Sequence, residues 1–365
     1  MLRSCASALV IALFFAGCST YQAFDSVGHL RSQYGQNVGA ETAAKLVVPF
    51  ELDDEMIAAL PKNRAPTELR RLNQVMEVVF ERLDLRYEQA PTRTAIETFR
   101  AHRGNCLSFV NLFVALSRAN NLNPFYVEVT DYQKWSHQAG MVVSQGHIVA
   151  GMYLDGELKT YDFLPYRPKA YRKFQPIDDL QAAAHFYNNL GAEALLGGDP
   201  ARARELIEVA AHIQPTFVKA INNLGVVLAR AGDVAGAQDA YRRALAVEPD
   251  NAIVMTNMAR LLQQQGKSDE AQTMLAQVEA SNISNPYFFV YQGDLALARG
   301  DQQKALDYMV KALRLDAESS DVHVGLVKVY LALGDTEKAK HHLGRALALD
   351  ATNTDALRYA ALIGR

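Results

Sequence analysis

Between Leu107 and Leu116 the apolar residues Leu107, Val110, Phe113, Val114 and Leu116 recur at helical spacing, and Gly104 and Asn105 stand immediately before them as turn and cap residues. The pattern predicts a helix that opens on Cys106. The apolar stretch 124–129 then reads as a strand, being short, aromatic and β-branched, and 146–153 as a second. Asp155-Gly156 marks a hairpin turn into a third strand, 158–163. Upstream, Thr67 opens a helix carrying Leu69, Leu72, Val75, Val78, Val79 and Leu83, and Pro91 leads into a shorter helix from Thr94 to Ala101.

From residue 184 the pattern changes and repeats. Glycine recurs every 34 residues at Gly198, Gly232, Gly266, Gly300 and Gly334, and alanine follows five residues after each, at Ala203, Ala237, Ala271, Ala305 and Ala339. A second small position falls at Ala210, Ala244, Val278, Ala312 and Ala346. Small residues where two helices cross, glycine in the turn and larger residues such as Leu190, Leu224, Tyr241 and Tyr330 between them predict a stack of helix pairs. With Pro215 and Pro249 near the ends of the first two units, the pattern resembles the tetratricopeptide repeat (TPR). Gln292 and Val327 depart from it in the later units. Five units are expected over 184–353, closed by a polar-faced helix within 354–365.

The candidate chemistry lies ahead of the repeats. A cysteine at a helix start sits at the positive end of the helix dipole, which favours the nucleophilic thiolate. His147 falls on the second strand and Asp162 on its hairpin partner, so a nucleophile, a base and an orienting carboxylate follow one another along the chain. The run from Thr98 to Arg100, then Gly104-Asn105-Cys106-Leu107-Ser108-Phe109, with His147 and Tyr161-Asp162-Phe163 behind it, resembles the bacterial transglutaminase-like superfamily. The resemblance implies a papain-like α+β domain, here 41–180, followed by the all-α TPR solenoid. It also implies Cys106 as nucleophile, His147 as general base and acid, and Asp162 as the carboxylate that orients the imidazole. Ile148 stands where many members carry an aromatic residue, and no tryptophan precedes Cys106 to serve as an oxyanion donor; Trp135, in a polar aromatic loop after the first strand, is the chain's one tryptophan. His102 and His137 are expected in loops.

The first 17 residues read as an export signal, with Arg3 ahead of an apolar core and Phe15-Ala16-Gly17 before Cys18. This resembles the bacterial lipoprotein box, which implies lipidation at Cys18, a tether over 18–40, and a membrane association made through the lipid. Ser19 behind the anchor implies the outer membrane of a bacterial cell envelope, with the folded part in the periplasm. Cys5 would leave with the signal and Cys18 would be acylated, so Cys106 would be the one thiol of the mature chain, natural in an oxidising compartment if it is catalytic.

A formal net charge of -3, becoming -4 without Arg3, gives no sign of a nucleic-acid partner. The chain has no phosphate-binding glycine loop, Cys-x-x-Cys pair or His-Glu-x-x-His site, and His341 and His342 are adjacent on a helix and point apart, so no cofactor or metal is implied. The expected partner is a peptide or protein client in the TPR groove, where Asn189, Asn223 and Asn257 stand at equivalent places. Two functions remain open: acyl transfer through a Cys106 thioester resolved by water or by an amine, or a scaffold in which the front domain does not turn over.

Overall fold

The computed structural model describes residues 26–138, 141–163, 173–281 and 285–363, with the backbone alone described over 131–146. Three helices come first: α1 (Ser26–Val38), α2 (Ala40–Lys45) and α3 (Asp54–Ala59). Residues 26–38 were expected to belong to a tether. They instead form α1, with Leu30 and Tyr34 fully buried, and Asn37 Nδ2 donates to the Ile213 carbonyl at 2.6 Å. Two fully buried side chains one turn apart, with Val27 and Val38 packed beside them, dock a helix whose other residues are mostly polar or glycine, which is why its periodicity is faint.

Helix α4 (Glu68–Met76) is capped by Thr67, whose side chain accepts from the Arg70 N–H, and it runs on into a wider π-helical turn over Glu77–Arg82. Helix α5 (Ala95–Ala101) starts with a reciprocal capping box between Thr94 and Glu97. Two short strands, β1 (Arg86–Tyr87) and β2 (Arg103–Gly104), pair in parallel and deliver the chain to α6 (Cys106–Ala119). Gly104 is needed there, because a Cβ would lie 2.6 Å from the Ser108 Cβ.

The main sheet is antiparallel, in the order β5-β4-β3-β6, formed by β3 (Phe125–Gln138), β4 (Met141–Leu154), β5 (Glu157–Tyr161) and β6 (Phe174–Ile177). Asp155 and Gly156 both have positive φ, 53° and 80°, as a two-residue hairpin turn requires. Helix α6 packs on this sheet: the Phe113 ring stacks on Tyr161 at 5.1 Å, and the buried Tyr126 hydroxyl donates to Asn111 Oδ1 at 2.9 Å. The stretch around Trp135, expected as a loop, continues β3, with Trp135 opposite Ser144 and His137 opposite Val142. Its polar composition concealed strand pairing that the backbone alone makes.

Five helix pairs follow: α7 (Asp179–Leu196) with α8 (Pro200–Ile213), α9 (Val218–Arg230) with α10 (Val234–Val247), α11 (Ala252–Gln264) with α12 (Ser268–Ala280), α13 (Pro286–Ala298) with α14 (Gln302–Leu315), and α15 (Ser320–Ala332) with α16 (Thr336–Leu349). Helix α17 (Thr354–Ile363) closes the stack. All five repeated glycines lie in the left-handed region, with φ between 76° and 82°, and end the first helix of each pair. Asp199, Asp233, Asp301 and Asp335 cap the second helices. The five alanines that follow the glycines are fully buried, as close helix crossings demand.

The two halves share one hydrophobic core, continuous from Leu30 through Leu107, Phe186 and Ile221 to Val329. Helix α7 is therefore at once the first repeat helix and part of the wall of the front domain. No helix among the described residues is long and apolar enough to cross a membrane.

Candidate functional site

Cys106 is the first residue of α6. Asn105 caps the helix, its Oδ1 accepting from the Ser108 N–H at 3.0 Å, while its carbonyl accepts from the Phe109 N–H at 3.0 Å. The N–H groups of Cys106 and Leu107 precede the first intrahelical bond and have no helical acceptor, so they are donors for charge developing near the sulfur. Cys106 itself is partly accessible.

His147 lies on β4 and is 2 % exposed, beside an irregularity in which β3 inserts extra residues between Val129 and Lys134. Bulges of this kind re-aim side chains beside functional sites. Its Nε2 lies 3.0 Å from Asp162 Oδ1, directly after β5. Its ring also hydrogen-bonds the Cys106 side chain; with Nε2 engaged by Asp162, Nδ1 is the nitrogen left for sulfur. The structure thus brings together Cys106, His147 and Asp162. Burial alone would depress the imidazole pKa, but the hydrogen bonds to Asp162 and Cys106 and the attraction of both groups outweigh it and raise His147 to about 9. At neutral pH the imidazole is then protonated, the partner that a thiolate needs.

Aromatic packing fixes the carboxylate's position. Phe163, next to Asp162, is buried against Phe113 at 5.6 Å, Phe109 at 6.3 Å and Phe80 at 5.6 Å between ring centroids. Such a sulfur, imidazole and carboxylate relay is the arrangement that passes a proton between a nucleophile and a leaving group. His102, at the left-handed end of α5, is not part of it, and of His137 only the backbone is described, on the extension of β3. Cys18 lies outside the described residues. Among the described residues no cluster of three or more His, Cys, Asp or Glu is placed to hold a metal ion.

A second polar network, which sequence spacing does not reveal, sits behind the cysteine. Asn105 Nδ2 donates to Thr92 Oγ1 at 2.7 Å, and Thr92 donates to Glu193 of α7. Residues 101 positions apart meet here, and neither carries a local motif.

Residues 57–168 match the transglutaminase-like superfamily, and residues 228–287 and 296–365 match the tetratricopeptide repeat. The chain joins a transglutaminase-like domain to TPR repeats. Among solved structures, it is similar to a thermophilic TPR protein of Thermus thermophilus (20 % identity over 50 % of this chain and 100 % of that one, TM-score 0.45) and to pilF of Pseudomonas aeruginosa (23 %, 51 % and 86 %, TM-score 0.40). It is also similar to MamA of Desulfovibrio magneticus (20 %, 47 % and 97 %, TM-score 0.34). No curated protein matches it.

In the TPR region two of the three equivalent asparagines, Asn223 and Asn257, bond the residue just before the equivalent asparagine of the preceding repeat. Asn223 Nδ2 donates to Asn188 Oδ1 at 2.8 Å, and Asn257 Nδ2 to Asn222 Oδ1 at 2.9 Å, so they link successive first helices. Strand β3 lies against the same helices. It packs on α7 and α13, and Glu128 pairs with Lys219 of α9.

Proposed function

We propose that the transglutaminase-like domain is an acyl-transfer enzyme acting on amide or ester bonds of peptide or protein substrates, presented by the TPR repeats. The observation that carries this reading is the hydrogen-bonded line from Cys106 through His147 to Asp162. The Cys106 thiolate attacks the substrate carbonyl to form a tetrahedral adduct, held by the N–H groups at the start of α6. The C–N or C–O bond then breaks and the leaving group takes the proton of the His147 imidazolium, giving a thioester. Water or an amine attacks that thioester while His147 accepts its proton, and the thiolate departs. Asp162 keeps the imidazole in one orientation and balances its charge. The sequence signals at Cys18 and Ser19 support an anchored lipoprotein of the outer membrane, with the enzyme facing the periplasm.

The test is alkylation of Cys106 by iodoacetamide across pH, in wild type and His147→Ala. A reaction that stays fast at pH 6 and slows at least tenfold without His147 supports an activated pair. A rate indifferent to His147 would leave the domain as a scaffold and move attention to the repeats. The same variants, incubated with peptide amides and examined by intact mass, report whether a thioester accumulates.

A further inference from the structure

The helix that opens on Cys106 is pinned at both ends to the first helix of the repeats. At the far end, Arg118 of α6 makes two 2.8 Å bonds to the carboxylate of Asp179 on α7. At the cysteine end, Glu193 of α7 accepts the Thr92 N–H at 2.9 and 3.0 Å and the Thr92 hydroxyl at 2.6 Å. Asn105 and Arg118 are 13 positions apart, Asp179 and Glu193 are 14, and at ~1.5 Å per residue the clamps lie ~20 Å apart on both helices. The order of the clamps along the two helices runs them in opposite directions.

The cysteine-end clamp has a polarity that only a carboxylate imposes. An ionised Glu193 accepts and cannot donate, so the single hydroxyl proton of Thr92 must point to it. The lone pairs of Thr92 Oγ1 are then free for Asn105 Nδ2, at 2.7 Å. This turns Asn105 Oδ1 toward the N–H and the hydroxyl of Ser108, at 3.0 and 2.9 Å, and Ser108 Oγ accepts the Arg93 N–H at 2.8 Å. Asn105, Ser108 and Thr92 are all buried, which shields their bonds from solvent. Each link fixes the next, and the last fixes the turn of backbone that carries Cys106.

We propose that Glu193, a residue of the first repeat helix, is a positioning residue for Cys106: through Thr92 and Asn105 it sets the first turn of α6 so that the sulfur meets His147. The transglutaminase-like site is then complete only when the first TPR helix is docked. The proposal rests on the acyl-transfer reading for its consequence and on the hydrogen-bond relay for its geometry.

Glu193→Gln tests it, because glutamine keeps the shape but brings an NH2 group against the donors of Thr92. Asp179→Asn at the far clamp is the control for simple loosening of the helix pair. Glu193→Gln is expected to slow Cys106 alkylation by iodoacetamide about tenfold, the scale of a small misplacement of reacting groups, and to remove the acid limb that protonation of Glu193 contributes to the pH profile. Burial raises the Glu193 carboxyl pKa against the pull of its Thr92 bonds, so that limb lies above the ordinary carboxylate range. Asp179→Asn is expected to change thermal stability but not the rate.

Amide hydrogen exchange over 105–109 gives a readout independent of thiol chemistry, and exchange there should rise in Glu193→Gln and not in Asp179→Asn. Unchanged exchange at 105–109 in Glu193→Gln overturns the relay. Equal slowing by both variants reduces Glu193 to a general structural contact and also overturns it. A wild-type rate indifferent to His147→Ala defeats the acyl-transfer reading instead, while the exchange measurement still decides the relay.

Discussion

Lys219, on the first helix of the second repeat, forms an ion pair with Glu128, a nearly buried carboxylate on the central strand of the transglutaminase-like sheet. His185 of the first repeat stands 3.8 Å from the other oxygen of Glu128. Burial would raise the Glu128 pKa, but His185 and Lys219 overcome it and hold it at about 2. Removing one partner of such a pair leaves a charge with too little compensation. Lys219→Met is therefore expected to destabilise the chain by about 2 kcal/mol, less than the ~3–5 kcal/mol of a fully enclosed pair because Lys219 keeps some water. The loss should shrink as pH falls from 4.5 toward 2, because the unfolded carboxyl protonates over that interval while the folded one keeps its charge until about 2, which removes what the pair contributes. Urea unfolding of both proteins at pH 7 and pH 3 checks this; equal destabilisation at the two pH values would mean that the charge pair is not its source.

His147 gives a pH dependence of the opposite sense. Its folded pKa, about 9, lies above the ordinary value near 6.5, so the folded protein holds the proton more tightly. Its stabilising contribution is complete below pH 6.5 and is lost as pH rises to 9. The stability difference between wild type and His147→Ala should therefore fall steadily across that interval. A difference that is flat from pH 6 to 9.5 would show that the imidazole is not held protonated by Asp162 and Cys106.

The asparagines of the first repeat helices allow a choice between two roles. Asn257 is buried and donates to Asn222, also buried. Asn257→Ala would leave the Asn222 oxygen without that donor, at a cost of roughly 1–3 kcal/mol. A drop in thermal stability of that size without any client, measured by calorimetry, supports the interhelical ladder. A variant as stable as wild type would return these residues to the role of client contacts.

Particular residues explain what sequence could and could not disclose. Asn105 ahead of an apolar helix, Asp155-Gly156 between strands and the 34-residue glycine spacing are local signals, each with one physical meaning, and each predicted the element that forms. His147 and Asp162 were readable as neighbours because a tight hairpin fixes register across β4 and β5. Glu193 was not readable, because it meets Thr92 only in the folded chain, across 101 positions, and nothing within either segment encodes that meeting. The same holds for α1, whose two buried residues acquire meaning only against the repeat helices. Its correction moves the start of the folded chain to at least residue 26 and shortens any tether accordingly. The extension of β3 escaped for another reason, since backbone pairing tolerated polar residues at positions where an alternating apolar pattern was sought.

The end of the repeat stack carries the last prediction. His342, which sequence placed back to back with His341, instead meets His323 of the neighbouring helix, with the two Nδ1 atoms 2.9 Å apart, and its ring stacks on Tyr330 at 5.5 Å. One of the two nitrogens must donate and the other accept, so the contact requires at least one neutral ring. His323 also places its Nε2 3.1 Å from the Ala317 carbonyl, which takes a donor there and leaves Nδ1 of a neutral His323 as the acceptor for His342. Burial, then the charges of His323 and His341, lower His342 to about 4. A histidine with a lowered folded pKa binds its proton more readily once unfolded, so stability is full above pH 6.5 and is lost as pH falls toward 4. Amide exchange in α15 and α16 should accelerate over that interval, and His342→Phe, which keeps the stacking on Tyr330 and cannot take a proton, should remove the acceleration. If the acid-induced exchange persists unchanged in His342→Phe, the histidine pair is not the acid-sensitive element of the last repeat.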